Sequence, residues 1–201
     1  DRWQLEMDRI FKRVPLMAAT TAELRDSGSY KAMDAAGVQI LITRTQSGQV
    51  KAFVNMCSHR GAKLMAEGCG HDNKFTCPYH AWTYELSGQL KIRPHFDGPN
   101  QHQDAAMCAD TIKLGEVRSV TWFDWVFVDL SGQAAPFEEQ WHPLLSRFAG
   151  FPVDAFSYHE TMRCEFNANW KLVAENYFDV YHLFKVHPDL NRIYGGPRTS
   201  S

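Results

Sequence analysis

Short stretches of alternating apolar and polar residues dominate the first two thirds of the chain. Residues 29–34, 38–45 and 50–54 are rich in β-branched and apolar residues. They are separated by Ala35-Ala36-Gly37 and Gln46-Ser47-Gly48-Gln49, which predicts strands joined by hairpin turns. Residues 74–76 and 82–84 read as two further strands, the second running towards a Ser87-Gly88 turn. After the Pro-, Gly-, Asn- and Gln-rich stretch 93–111, a loop by composition, residues 112–118 and 122–129 read as strands returning to the same sheet. Trp122, Phe123, Trp125 and Phe127 fit core and sheet-face positions there. Residues 1–12 have instead the pattern of an amphipathic helix, with Trp3, Leu5, Ile10 and Phe11 as candidates for buried contacts. Residues 136–148 look helical and 156–166 β-like. Asn169 is a good helix cap, and the run after it lacks Gly and Pro until Pro188, which predicts one helix.

Composition narrows the classes of function. A hydrophobic content of 44 % suits a globular core, and a net charge of −2 gives no electrostatic footprint for nucleic acid. No apolar run approaches the ~20 residues of a membrane-spanning helix, and no signal-peptide pattern opens the chain. The five cysteines are an odd number with no disulfide spacing, which fits a reducing cytoplasm.

Chemistry enters with Cys57-Ser58-His59 and Cys77-Pro78-Tyr79-His80, two short pairs separated by seventeen residues. Their side chains offer two thiolates and two imidazoles to metal. Cys2His2 is also a zinc set, but zinc fingers pair Cys with Cys and His with His. Here each loop holds one of each, so each can give one ligand to each iron of a two-iron cluster. With Arg60-Gly61-Ala62 after the first pair and Ala81-Trp82 after the second, the stretch resembles the Rieske [2Fe-2S] motif. That resemblance implies a cluster on Cys57, His59, Cys77 and His80, with a potential raised above that of an all-cysteine ferredoxin. Cys69 lies between the loops, and no cysteine follows His80 until Cys108, so Cys69 reads as an unpaired thiol. His71, His95, His102, His142 and His159 read as surface or structural histidines, and Lys171 and Arg163 as residues of solvated faces.

On an unbroken helix Glu175, Asp179 and His182 would share a face at i, i+4 and i+7. His187 would stand about 140° round from His182, so one metal could take both only where the helix loosens, and Pro188 supplies the reason. The stretch from Asn169-Trp170-Lys171 through Glu175-Asn176 to His187 resembles the mononuclear-iron motif of the Rieske non-heme iron oxygenases, the large subunits of aromatic-ring-hydroxylating dioxygenases and related monooxygenases. The resemblance makes Asp179 an electron-transfer bridge and His182 and His187 ligands of a mononuclear Fe(II). It covers nearly the whole chain, with departures. Ala81 stands where many members have Gly, and Asp124-Trp125 where a glycine often precedes the strand. The third, carboxylate ligand comes in the family from a helix far downstream; Glu175 and Asp189 are the nearest spare carboxylates, and the family pattern gives neither that role.

The fold class expected is α+β, an antiparallel β Rieske domain followed by the start of an α+β mononuclear-iron catalytic domain. Expected boundaries are 1–35 for an N-terminal helix and lead-in strand, 36–135 for the Rieske domain and 136–201 for the start of the catalytic domain, an N-terminal half of a large subunit. The resemblance implies electrons from NADH arriving through a partner reductase, with or without a ferredoxin. It implies also dioxygen activation at iron, hydroxylation or oxidative demethylation of a small organic substrate, an aromatic one first, in aromatic compound catabolism, and a homotrimer or hetero-oligomer. Neither nucleic acid nor membrane is an expected partner. A Rieske-type ferredoxin without catalysis would explain residues 50–90 but not 169–187, and a zinc-binding interaction module would be colourless.

Overall fold

The computed structural model describes residues 1–96, 98–99, 112–152, 155, 160 and 162–193. The chain divides into two compact units, Asp1–Tyr158 and His159–Ser201. The first unit takes in the expected lead-in strand and the stretch after residue 135, so the division falls later than the boundaries expected at 35 and 135.

Among the described residues the first unit is built on ten strands, β1 (Leu16–Thr20), β2 (Ser29–Ala35), β3 (Val38–Arg44), β4 (Val50–Val54), β5 (Gly68–His71), β6 (Lys74–Thr76), β7 (Thr83–Glu85), β8 (Leu90–Ile92), β9 (Glu116–Trp122) and β10 (Trp125–Asp129). Seven form one sheet in the order β1-β10-β9-β4-β3-β2-β5, and β6-β7-β8 form a second. Every pairing is antiparallel. The period-2 rule explains the two cores. On β3, Leu41 faces a cluster with Phe53, Phe75, Tyr84, Leu90 and Leu114, whereas Ile40 and Ile42 face Leu24, Ala52, Val126 and Val128 on the other side. All three β3 residues are fully buried, each contributing about 1.5–3 kcal/mol of apolar burial. The first of these clusters includes Cys57 and Cys77.

Two segments fix where the second sheet sits. Gly88 has a φ of 85°, and a Cβ there would run into the ring of Phe53, so the turn closes directly on the core. Residues 112–115 are not the strand expected from sequence. Leu114 is fully buried and its N–H donates to the Gly88 carbonyl at 2.8 Å, so this stretch straps the β7-β8 turn down. The last hairpin is also shifted from its expected place. Its strands are β9 and β10, joined at Phe123-Asp124, and Phe123 takes a left-handed φ of 53°.

Other expectations also change. The N-terminal helix, α1 (Arg2–Glu6), passes into one wider π turn at Met7–Phe11. Trp3, Leu5 and Ile10 are exposed rather than buried, and Trp3 packs against Phe11 at 6.3 Å between ring centroids. Strands β1, β5 and β8 had no sequence expectation. Further on, α2 (Phe137–Phe148) sets Phe137 and Trp141 against Phe127, and Phe148 against Trp122. This confirms the packing role read for Trp122 and Phe127, while Phe123 remains 36 % exposed.

In the second unit the single helix expected after Asn169 is broken into α3 (Trp170–Phe178), α4 (Leu183–Val186) and α5 (Pro188–Ile193). Asn169 does cap α3, its side chain accepting from the Lys171 N–H at 3.0 Å. Residues 162–166 carry no strand, and the rest of the expected β-like stretch, 156–159 and 161, lies outside the described residues, as do His102, Cys108, His159 and the Gly195-Gly196-Pro197 loop.

Candidate metal centres

The two Cys/His loops have the same backbone. The Cys57 N–H donates to the Ala62 carbonyl (2.8 Å) and the Gly61 N–H to the Cys57 carbonyl (2.9 Å); Cys77 N–H to Trp82 (2.8 Å) and Ala81 N–H to Cys77 (3.0 Å) repeat this at the same spacing. Each loop turns through a left-handed residue four positions after its cysteine, Gly61 at φ 73° and Ala81 at φ 57°. A glycine at the second position would have a steric reason, since a Cβ in this conformation costs about 1–2 kcal/mol.

Packing fixes the loops. Asn55 is buried and grips Met65 twice, Nδ2 donating to its carbonyl at 2.8 Å and Oδ1 accepting from its N–H at 3.0 Å. Ser58 Oγ donates to the Lys113 carbonyl at 2.7 Å, on the strap below. Tyr84, fully buried, places its hydroxyl 3.2 Å from Cys57 Sγ, and that oxygen accepts from the Ser58 N–H at 3.0 Å. Burial, and then the neighbouring Cys57 thiol, push the Tyr84 phenol well up, so it stays protonated and able to donate.

The two cysteines expected as ligands belong to one core cluster, and the two expected histidines stand together in the same two loops. Cys57 and Cys77 are buried, and the rings of His59 and His80 lie 4.8 Å apart. The Nδ1 of His59 is shielded from solvent and has no hydrogen-bond partner, a costly state for a polar atom unless it faces a metal. Desolvation, then His80 and Arg60, hold the His59 imidazole below the usual histidine range, in the neutral form that ligates. Two buried thiols, the neutral His59 with its orphaned nitrogen, and His80 beside it fit a cluster held by two cysteines and two histidines. The ring of His59 stacks on Trp82 at 4.6 Å and 8°, and Phe96 meets both edge-on. Spacing alone did not single out Trp82, Tyr84 or Phe96 for a role at this site.

The second site is built by the break in the helix. Asp179 ends α3 with ψ 110°, and its carboxylate accepts from the Tyr181 N–H at 2.9 Å and from His182 Nδ1 at 3.0 Å. This local turn competes with helical hydrogen bonding and ends it, so the i, i+4, i+7 face does not continue past Asp179, yet the Asp179–His182 contact forms. His182 and Tyr181 hold the Asp179 carboxyl below its usual range. His187 leaves helical geometry at φ −126°, ψ 66°, as the following proline demands. The loosening brings the His182 and His187 rings to 5.5 Å. With Nδ1 engaged, His182 has Nε2 to offer a metal, the arrangement in which a carboxylate orients a ligating histidine. Among the described residues no set of three His, Cys, Asp or Glu side chains forms a site for one metal ion. Cys69 is a free, exposed thiol on β5, and no helix among the described residues is long and apolar enough to cross a membrane.

Comparison with known proteins finds matches to both parts of the chain. The Rieske [2Fe-2S] domain family matches residues 14–119, and the ring hydroxylating alpha subunit catalytic domain matches residues 153–200. The chain is 33 % identical over 186 residues to the glycine betaine monooxygenase oxygenase subunit of Chromohalobacter salexigens, covering 92 % of this chain and 40 % of that protein. It is 31 % identical to the anthranilate 1,2-dioxygenase large subunit of Acinetobacter baylyi, with 92 % and 40 % covered. Among solved structures, a quaternary ammonium Rieske monooxygenase described for carnitine oxidation and inter-subunit electron transfer superposes with a TM-score of 0.79 at 27 % identity, covering 94 % of this chain and 51 % of that one. The chain therefore spans about half, or less, of the length of the relatives it matches.

Proposed function

Because this chain belongs to the Rieske [2Fe-2S] family, with a second unit of the ring-hydroxylating alpha-subunit kind, we propose that it is part of the terminal oxygenase component of a Rieske oxygenase. In this reading Cys57, His59, Cys77 and His80 hold the [2Fe-2S] cluster, and His182 and His187 hold a mononuclear iron. When bound, the cluster supplies one-electron storage and the ferrous iron the site of dioxygen activation. The observation that carries the proposal is the paired ring geometry of His182 and His187, with Asp179 on the first, in the same chain as the Cys/His loops. A ferredoxin-type carrier needs only the loops and leaves this second site without purpose.

The chain's own residues divide the work. Tyr84 and the Ser58 N–H fix the Cys57 side of the first site. Asp179 orients His182, and we assign it the electron-transfer bridge, accepting from His182 and, across a subunit boundary, from His80. Its Oδ1 already accepts from Tyr181, so the bridge would use a remaining lone pair rather than a free oxygen. Electrons reach the cluster in this scheme from NADH through a reductase, with or without a ferredoxin, in a cytoplasmic homotrimer or hetero-oligomer. The proposed reaction is hydroxylation or oxidative demethylation of a small organic molecule bearing a carboxylate. That is the chemistry shared by glycine betaine, carnitine and anthranilate, the compounds for which several relatives are named.

The first test is metal content. The purified chain should contain acid-labile sulfide and at least as much iron, any excess being the iron held by His182 and His187, and absorb in the visible, with histidine-ligated cluster signals on reduction. A colourless, zinc-loaded chain would sink the reading, since zinc does not absorb there.

A further inference from the structure

The two histidines at the loop tips live in different surroundings. His59 lies with its face parallel to the Trp82 indole, at 4.6 Å and 8°, and Phe96 closes its edge at 6.2 Å and 81°. Phe96 in turn lies under the Arg93 guanidinium, 4.7 Å from its ring centre. Trp82 itself is buried in the core with both cysteines, so its indole is fixed from below. His80 is exposed; among the described residues its ring meets the edge of His59 at 4.8 Å and, on its outer side, Tyr79, tilted at 33° and itself 62 % exposed.

This difference has a consequence for ligation. A ligating imidazole needs one nitrogen aimed inward and the ring stopped from turning. Most such histidines achieve it by donating their second nitrogen to a carboxylate or carbonyl. For His59 the ring is held by a stacked face and a packed edge, and its Nδ1 is dry. An aromatic face so placed is rigid, apolar and without a competing donor.

We propose that Trp82 is a positioning residue for His59: its indole face, helped by Phe96, sets the imidazole plane and keeps water from Nδ1, leaving His80 as the solvent-facing ligand. The proposal rests on the reading of these loops as a cluster site. Opening the stack should act in two ways. His59 should let go more readily, and water near the cluster should stabilise the extra negative charge of the reduced state, raising the potential.

The experiment uses the full chain with its cluster assembled. Trp82→Leu keeps apolar volume but removes the ring, Trp82→Phe keeps a ring, and Tyr79→Ala opens the His80 side. Iron and sulfide content, the rate of visible bleaching under a chelator, and the reduction potential are measured for each. Trp82→Leu should bleach about tenfold faster than wild type, in the range seen when groups orienting a metal ligand are removed, with a raised potential. Trp82→Phe should restore both readouts nearly to wild type, and Tyr79→Ala should leave the bleaching rate unchanged. Phe96→Ala, at a 52 % exposed position outside the core, should move both readouts in the direction of Trp82→Leu, and decides alone if the latter does not fold. Wild-type bleaching and potential in the Leu and Phe96 variants would overturn the positioning role. A wild-type chain that takes up neither iron nor sulfide would overturn the cluster reading beneath it.

Discussion

The hydroxyl of Tyr84 accepts from the Ser58 N–H, which leaves its own proton for Cys57 Sγ at 3.2 Å. A hydrogen bond to a ligand sulfur favours the reduced, more negative cluster, so losing it lowers the potential. If the bond is worth about 1 kcal/mol more to the reduced form, a one-electron potential moves by about 40 mV. Tyr84→Phe keeps the ring in its fully buried place, so the cluster should assemble and titrate at a potential lower by roughly that much. An unchanged potential in an intact Y84F cluster would remove the hydroxyl from any tuning role. Cys57 and His80 could be proposed as ligands from sequence because residue type and spacing carry their chemistry. Tyr84 was not, because its partner lies 27 residues away and nothing in a Thr-Tyr-Glu strand names a contact across a core. Ala81 sits between these cases: its departure from a common glycine was visible, but only the φ of 57° gives the reason.

Elements were legible where the apolar alternation was clean. Strands β2, β3 and β4 fall within a residue of the pattern, since both faces of β3 bury their side chains and the Ala36-Gly37 turn supplies two left-handed residues. The last hairpin was misplaced because Trp122 through Val128 is one unbroken apolar run apart from Asp124, and apolarity does not mark a turn whose left-handed residue is a phenylalanine. The helix after Asn169 was overextended for a related reason: neither Gly nor Pro announces the Asp179 break, which comes from side-chain capture of the Tyr181 N–H. A similar capture makes the end of β10 testable. Asp129 is 4 % exposed and accepts from the Ser131 N–H (3.0 Å), Ser131 Oγ (2.8 Å), the Ala134 N–H (3.1 Å) and the Arg118 guanidinium. Burial pushes its carboxyl up, but Ser131, Ala134 and Arg118 outweigh that and hold it below the usual range. A carboxyl depressed on folding stabilises fully above its unfolded pKa of about 3.9 and loses that contribution as pH falls through the lower folded value. Asp129→Asn should therefore cost about 2 kcal/mol at neutral pH, with Arg118 half exposed and screened. In urea unfolding at a series of pH values, the gap between variant and wild type should shrink below about pH 4. A gap independent of pH would mean that the carboxylate charge plays no part.

At the scale of the whole molecule, the proposed function asks for electron transfer between a cluster and an iron in neighbouring subunits, and the bridge is proposed for Asp179. Its carboxylate is pinned on one side by His182 Nδ1 and held ionised by that contact. It is also half exposed, so a partner can reach it. The bland alternative is a solvated carboxylate that merely caps a helix break, which the Tyr181 contact alone would satisfy. The two readings separate in the full-length oxygenase assembled with its reductase. If Asp179 carries the bridge, Asp179→Ala should leave the cluster spectrum and its reduction by the reductase as in wild type. Product formation should then fall by at least about a hundredfold, at the upper end of what loss of a ligand-orienting group costs. Asp179→Asn separates the carboxylate from the local turn, because an amide oxygen can still accept from the Tyr181 N–H but brings no negative charge to join two histidines. It should behave like the Ala variant in turnover while keeping the helix break. Full turnover in either variant, with both metal sites loaded, would sink the bridge and reduce Asp179 to a residue that shapes the chain between α3 and α4.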